Sequence, residues 1–337
     1  MNYEILGLSA LWFFLFAYLI IASIDFGAGF FAYYAMQTKK DHILNRLIAR
    51  YLSPVWEITN VFFIFFFYGL AFFFPDAGYY YGSAMLIPGS IILLLIGIRG
   101  SFYAFENYGS RKSKLYTFLY GASGLFIPAA IATGLTISEG GFIRHENGSV
   151  YLRHQELLTN PFSWAVVFLA VVSVLYISAH FLTYYANKAG DEPARKLLRS
   201  YALFWAAPQI IASLTAFIFI SRQNPEHYDN MLDLWWLFGI SVLFFLIGIY
   251  LVYRERNYGL SFICVMLQFF FALLGYGIGH MPYLLYNEIQ VTADATLPAM
   301  GIALLIAFAG GLLMLIPSLI LVMRMFLFDA EYVKGKK

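Results

Sequence analysis

From Gly7 to Phe31 the chain is apolar for about 25 residues and carries a single charge, Asp25. A helix needs roughly 20 such residues to cross a bilayer. In hydrocarbon a single helix is the simplest way for a chain to satisfy its own backbone polar groups. A carboxylate at that depth costs about 2.5–3.5 kcal/mol on insertion scales, so Asp25 must face protein or a wet cavity. Gly27 and Gly29, which follow it, let a neighbouring backbone come close.

The same constraint extends along the chain. Of its 337 residues 61% are hydrophobic and 12% are charged, against about 45–50% and about 25% in soluble domains. That composition predicts an integral membrane protein. The net charge of +2 says little about partners, because placement of charge matters more than its sum; no nucleic-acid partner is expected. The single cysteine, Cys264, excludes a disulfide framework and any cysteine-held metal or iron–sulfur site within the chain. The first residues lack a basic n-region and the apolar run is too long for a signal-peptide core, so no cleaved signal is expected.

The hydropathy predicts an all-α fold, one transmembrane domain over residues 1–337 with nine spans. They lie near 7–33, 54–74, 79–99, 115–137, 162–187, 198–221, 231–253, 258–281 and 297–327. The count suggests two four-helix bundles plus one peripheral helix. Eighteen of the 21 Lys and Arg fall on one side of this frame; Arg144, Arg153 and Arg222 fall on the other. The positive-inside rule then places the N-terminus outside and the C-terminus in the cytoplasm.

Few polar residues are left within the spans. Asp25, Glu57, Arg99 and His180 share the cytoplasmic half, and Glu106 follows Arg99 shortly. Two readings of Asp25 stand side by side: a structural ion pair with Arg99, or a proton-carrying carboxylate. Glu57 is either a first-turn acid on a helix dipole or a second proton carrier. Of the six histidines, only His180 and His280 lie in or near spans, and at opposite faces. They cannot ligate one haem iron together, and Met281 beside His280 points elsewhere on a helix. A packed or hydrogen-bonded role is expected for both. Gln209 and Gln268 are expected to hydrogen-bond between helices.

Four segments carry a family resemblance. They are Ile24-Asp25-Phe26-Gly27-Ala28-Gly29; Trp56-Glu57 followed by Val61-Phe62; Arg99 with Phe105-Glu106; and Met281-Pro282-Tyr283. In order and spacing the chain resembles subunit II of cytochrome bd-type quinol oxidases along nearly its whole length. It departs from that pattern at Thr59 and Asn60, where the amide comes one residue late, at Asn107-Tyr108 in place of an arginine, and at Leu284-Leu285-Tyr286, which lacks a second proline.

The resemblance implies a partner, a haem-bearing subunit I with b-type and d-type or only b-type haems, and leaves room for a small single-helix subunit besides. It implies that this chain binds no cofactor itself, is inactive alone, and belongs to a bacterial or archaeal plasma membrane. The complex would oxidise quinol, reduce dioxygen to water and take the protons from the cytoplasm. Asp25, Glu57, Arg99 and Glu106 are then candidates for a proton pathway. Trp56, Thr59, Asn60, Gly27, Gly29 and His180 are candidates for packing around it. Two rival readings are an ion-coupled secondary transporter and a purely structural scaffold subunit. Pro128 and Pro208 could break the fourth and sixth spans, as the transporter reading needs.

Overall fold

The computed structural model describes residues 3–108, 114–146, 148–294, 297–322 and 324, with backbone alone at 46, 49–58, 102–108, 293–294 and 322. The order is α1 (Tyr3–Gln37), α2 (Asp41–Phe73), α3 (Pro75–Ala84), α4 (Leu86–Tyr108) and α5 (Lys114–Ser138). A hairpin of β1 (Ile143–Glu146) and β2 (Ser149–Leu152) leads into α6 (His154–Thr159). Next come α7 (Pro161–Ala189), α8 (Glu192–Gln223), α9 (Pro225–Asp233), α10 (Trp235–Tyr253) and α11 (Tyr258–His280). The chain closes with β3 (Tyr283–Leu285) paired to β4 (Ile289–Gln290), α12 (Val291–Asp294) and α13 (Pro298–Val322).

Among the described residues seven helices are long and apolar enough to cross a membrane: α1, α5, α7, α8, α10, α11 and α13. An eighth is counted if α3 and α4, bent 77° to each other, form one broken span. The expected nine spans are therefore seen as seven or eight. The expected second span falls in α2, whose described apolar stretch is Thr59–Phe73. The expected third span, 79–99, is not one straight helix. Its break has a local cause: α3 stops at Ala84, four residues before Pro88, whose ring would collide with the Ala84 carbonyl in a continuous helix. The expected seventh span starts late, at Trp235, because residues 225–233 form a helix of their own. Pro128 and Pro208 break nothing; α5 and α8 run through them.

Side-chain caps set several boundaries. Asn160 accepts from the Phe162 N–H at 2.8 Å and Pro161 opens α7, which ends at Gly190 in the left-handed region. Asp191 caps α8 through the Ala194 N–H at 3.1 Å. Asn224 caps α9 through the His227 N–H at 3.1 Å. Each supplies an acceptor to a helix N-terminus whose first N–H groups have no partner within the helix.

α1 is the central helix, packed on α2, α5 and α7. α4 packs on α5, while α7, α8, α10 and α11 close on one another as a second group, and α13 lies along α1 and α2. Polar contacts join the helices at specific points. Gln209 accepts from Ser173 at 3.2 Å, and Gln268 accepts from Tyr176 at 3.3 Å, so both glutamines join their helices to α7 as the sequence predicts.

The close approach of α1 to α7 rests on Gly27. A Cβ there would lie 2.8 Å from both Ser178 Oγ and the Val174 carbonyl oxygen. Ser178 donates to the Ile24 carbonyl at 3.0 Å across the same contact. Because backbone must move to make room, Gly27→Ala is expected to cost about 1–3 kcal/mol, the usual range for overpacking. Thermal unfolding of the purified protein in its complex reads this as a lowered midpoint. An unchanged midpoint would mean the helices separate freely here.

Candidate functional site

Asp25 lies on α1 at the α5 contact and is 4% exposed; Arg99, on α4, is 1% exposed. The guanidinium Nε donates to Asp25 Oδ2 at 2.8 Å, and Nη2 donates to the Asp25 carbonyl at 2.6 Å. Nη1 donates to the Tyr120 carbonyl at 2.8 Å and to Ser123 Oγ at 3.3 Å. Tyr120 returns its hydroxyl to Asp25 Oδ1 at 2.8 Å. The guanidinium also stands 3.9 Å over the Tyr120 ring and 5.2 Å from that of Phe26. Both carboxylate oxygens and all three guanidinium nitrogens are thus engaged, which is the condition under which a buried ion pair is tolerated.

The other expected site residues are distributed around this pair. Gly29 lets α1 approach Tyr120, whose carbonyl would be 2.9 Å from a Cβ there. Thr59 is buried and Asn60 half-buried on α2. Trp56 and Glu57 on α2 and Glu106 on α4 are placed by backbone only, so their side chains lie outside the described residues. His180 is not part of the group. It is buried on α7, with Nδ1 at 3.0 Å from the Tyr176 carbonyl and its ring 4.3 Å from that of Tyr176.

A second buried polar group was not legible in the sequence. Glu139 follows α5 directly, His227 lies on α9 and His280 ends α11; they are 3%, 0% and 7% exposed. His280 is packed and turned to polar partners, as expected, whereas His227, which the sequence places in a loop outside the spans, lies on a helix of its own. The short helix α9 folds His227 inward against Glu139, at 2.9 Å from Nδ1 to Oε1. Tyr276 donates to Glu139 Oε1 at 2.5 Å and Asn224 donates to Oε2 at 2.9 Å. Burial alone pushes the Glu139 carboxyl up, but its hydrogen bonds and attraction to His227 and His280 prevail, and its pKa falls to about 2.

Comparison with known proteins bears on the whole length. The family profile of cytochrome bd terminal oxidase subunit II matches residues 3–326. A putative cytochrome bd menaquinol oxidase subunit II of Bacillus subtilis (strain 168) is 30% identical over 342 aligned positions, covering 99% of this chain and 98% of the relative. The solved structure of bd oxidase from Geobacillus thermodenitrificans includes a chain 52% identical to this one. It superposes with a TM-score of 0.85 over 98% of this chain and 100% of that one.

Proposed function

The chain belongs to the cytochrome bd terminal oxidase subunit II family, and from that premise we propose that it is the non-haem-ligating subunit of a quinol:dioxygen oxidoreductase. Family membership and the apolar helices make it a multi-pass protein of the bacterial plasma membrane and part of an oxidoreductase complex. In the proposed assembly it packs against a haem-bearing subunit I. Menaquinol, the quinol for which the Bacillus relative is named, is proposed as the class of electron donor. The N-terminus is proposed to face outside and the C-terminus the cytoplasm.

The three buried histidines among the described residues are not set to take a haem. His180 is packed inside the protein with Nδ1 on a carbonyl, and His227 and His280 are turned toward Glu139. When bound by the partner, haem supplies the electron transfer and dioxygen chemistry. What this chain adds is proposed to be proton delivery from the cytoplasmic side. The observation that carries this is a carboxylate buried in the first span, with a tyrosine hydroxyl on one oxygen and a guanidinium on the other. Asp25 and Tyr120 offer a carboxylate and a hydroxyl through which a proton can pass. Arg99 holds the carboxylate in place, and Glu57 and Glu106 are assigned the cytoplasmic approach to it.

The scaffold reading is the second one, and a specific observation favours it: every polar atom of the Asp25–Arg99 pair already has a partner. The transporter reading finds no support in the family. Affinity purification through a tag on this chain, followed by a visible spectrum, tests the assembly. A haem-bearing partner is expected to elute with it at equal amounts, with haem bands in the spectrum. A colourless chain eluting alone would contradict the proposal.

A further inference from the structure

The Glu139, His227 and His280 group has no part in the proton delivery proposed above, and its geometry is that of a metal site. One ligand atom from each lies within 4.8 Å of the others. The inner edges are shorter: His227 Nδ1 is 2.9 Å from Glu139 Oε1, His280 Nδ1 is 3.6 Å from the same oxygen, and the two Nδ1 atoms are 3.5 Å apart. An ion about 2.0–2.1 Å from all three, the usual zinc–nitrogen and zinc–oxygen distance, fits just above the plane of that triangle.

The surroundings fix each ligand as a metal site does. His227 Nε2 lies 3.0 Å from the Tyr276 carbonyl. A carbonyl only accepts, so Nε2 carries a hydrogen, and Nδ1 is the ring nitrogen that faces Glu139 and His280 and can ligate an ion. This carbonyl–imidazole arrangement is the common outer support of a metal-bound histidine. Asn224 and Tyr276 donate to the carboxylate and hold its two oxygens. His280 is buried and its Nε2 has no hydrogen-bond partner. Its polar contacts among the described residues are with His227 and Glu139 through Nδ1. A buried imidazole with nothing to gain on one edge is thus turned, on the other, to an acid and a second imidazole.

We propose that Glu139, His227 and His280 bind one divalent transition-metal ion of the zinc class. Two imidazoles and one carboxylate are a set that zinc accepts, with the fourth position left to water. The ion sits between His227 and Glu139, whose facing atoms are 2.9 Å apart. It ties together the end of α5, the short helix α9 and the end of α11, three elements separated by 88 and 53 residues in the chain.

The test uses the purified oxidase complex, stripped with a chelator, equilibrated with micromolar zinc chloride and desalted. Elemental analysis is expected to find about one more zinc ion per complex than in the same preparation of His227→Gln or His280→Gln. The difference between them removes any zinc held by the partner. Should those variants fail to assemble, zinc X-ray absorption on the unaltered complex decides alone. A first shell of two imidazoles with oxygen at about 2.0–2.1 Å supports the site. Zinc content equal in wild type and variants, a first shell without imidazole, or no zinc retained by the wild type overturns it, leaving the group as a hydrogen-bonded network.

Discussion

Arg99→Ala is expected to remove most of the assembled complex from the membrane. It leaves Asp25, 4% exposed, without the Nε and Nη2 hydrogen bonds at 2.8 and 2.6 Å. Removing one partner of a buried pair costs about 3–5 kcal/mol, because the other charge stays buried without compensation. That is a large share of the roughly 5–15 kcal/mol that keeps a typical domain folded. Tyr120 still donates to Oδ1, but one neutral hydrogen bond does not replace a cation. Adding Asp25→Asn to Arg99→Gln is expected to restore assembly, since neutralising both partners removes the stranded charge. Yield of haem-bearing complex per milligram of membrane protein reads both outcomes. If Arg99→Ala assembles as well as wild type, the pair is not a structural requirement.

The double neutral variant carries the second large effect, on activity. Reducing dioxygen to water consumes one proton for each electron, and an apolar interior passes none without titratable groups or ordered water. With Asp25→Asn and Arg99→Gln together, quinol oxidation by the assembled complex is expected to slow about tenfold or more, at least about 1.4 kcal/mol of added barrier. Glu57→Gln is expected to slow it less, because a group nearer the membrane face is more easily replaced by water. The single variant Asp25→Asn is a poorer probe. It strands Arg99, 1% exposed, so a fall in assembly would be mixed with any fall in turnover.

The pairing of Asp25 with Arg99 was legible because both charges interrupt apolar runs, and a charge at membrane depth has few remedies besides an opposite one. What the sequence left open was whether the pair also carries protons, a question of function that hydropathy does not reach. The bend after Ala84 was missed because Met85, Leu86 and Ile87 keep the stretch uniformly apolar; Pro88 was the available signal. The Glu139 group was missed for a different reason. Each member stands at the end of a helix or between two, where a polar residue is ordinary, and only tertiary packing turns three of them inward. The Asn224-Pro225 cap was the one local hint that residues 225–233 are a helix rather than a loop.

The central claim is that protons reach the dioxygen chemistry through this chain. It is tested most directly by proton uptake in vesicles carrying the complex with its cytoplasmic face outward. Fully reduced complex is mixed with dioxygen and a pH dye in the outer medium records uptake. For the assembled Asp25→Asn/Arg99→Gln variant the account predicts haem reduction by quinol at the wild-type rate and proton uptake slowed about tenfold or more. Uptake and haem reduction both at the wild-type rate would contradict it and leave this subunit as a scaffold.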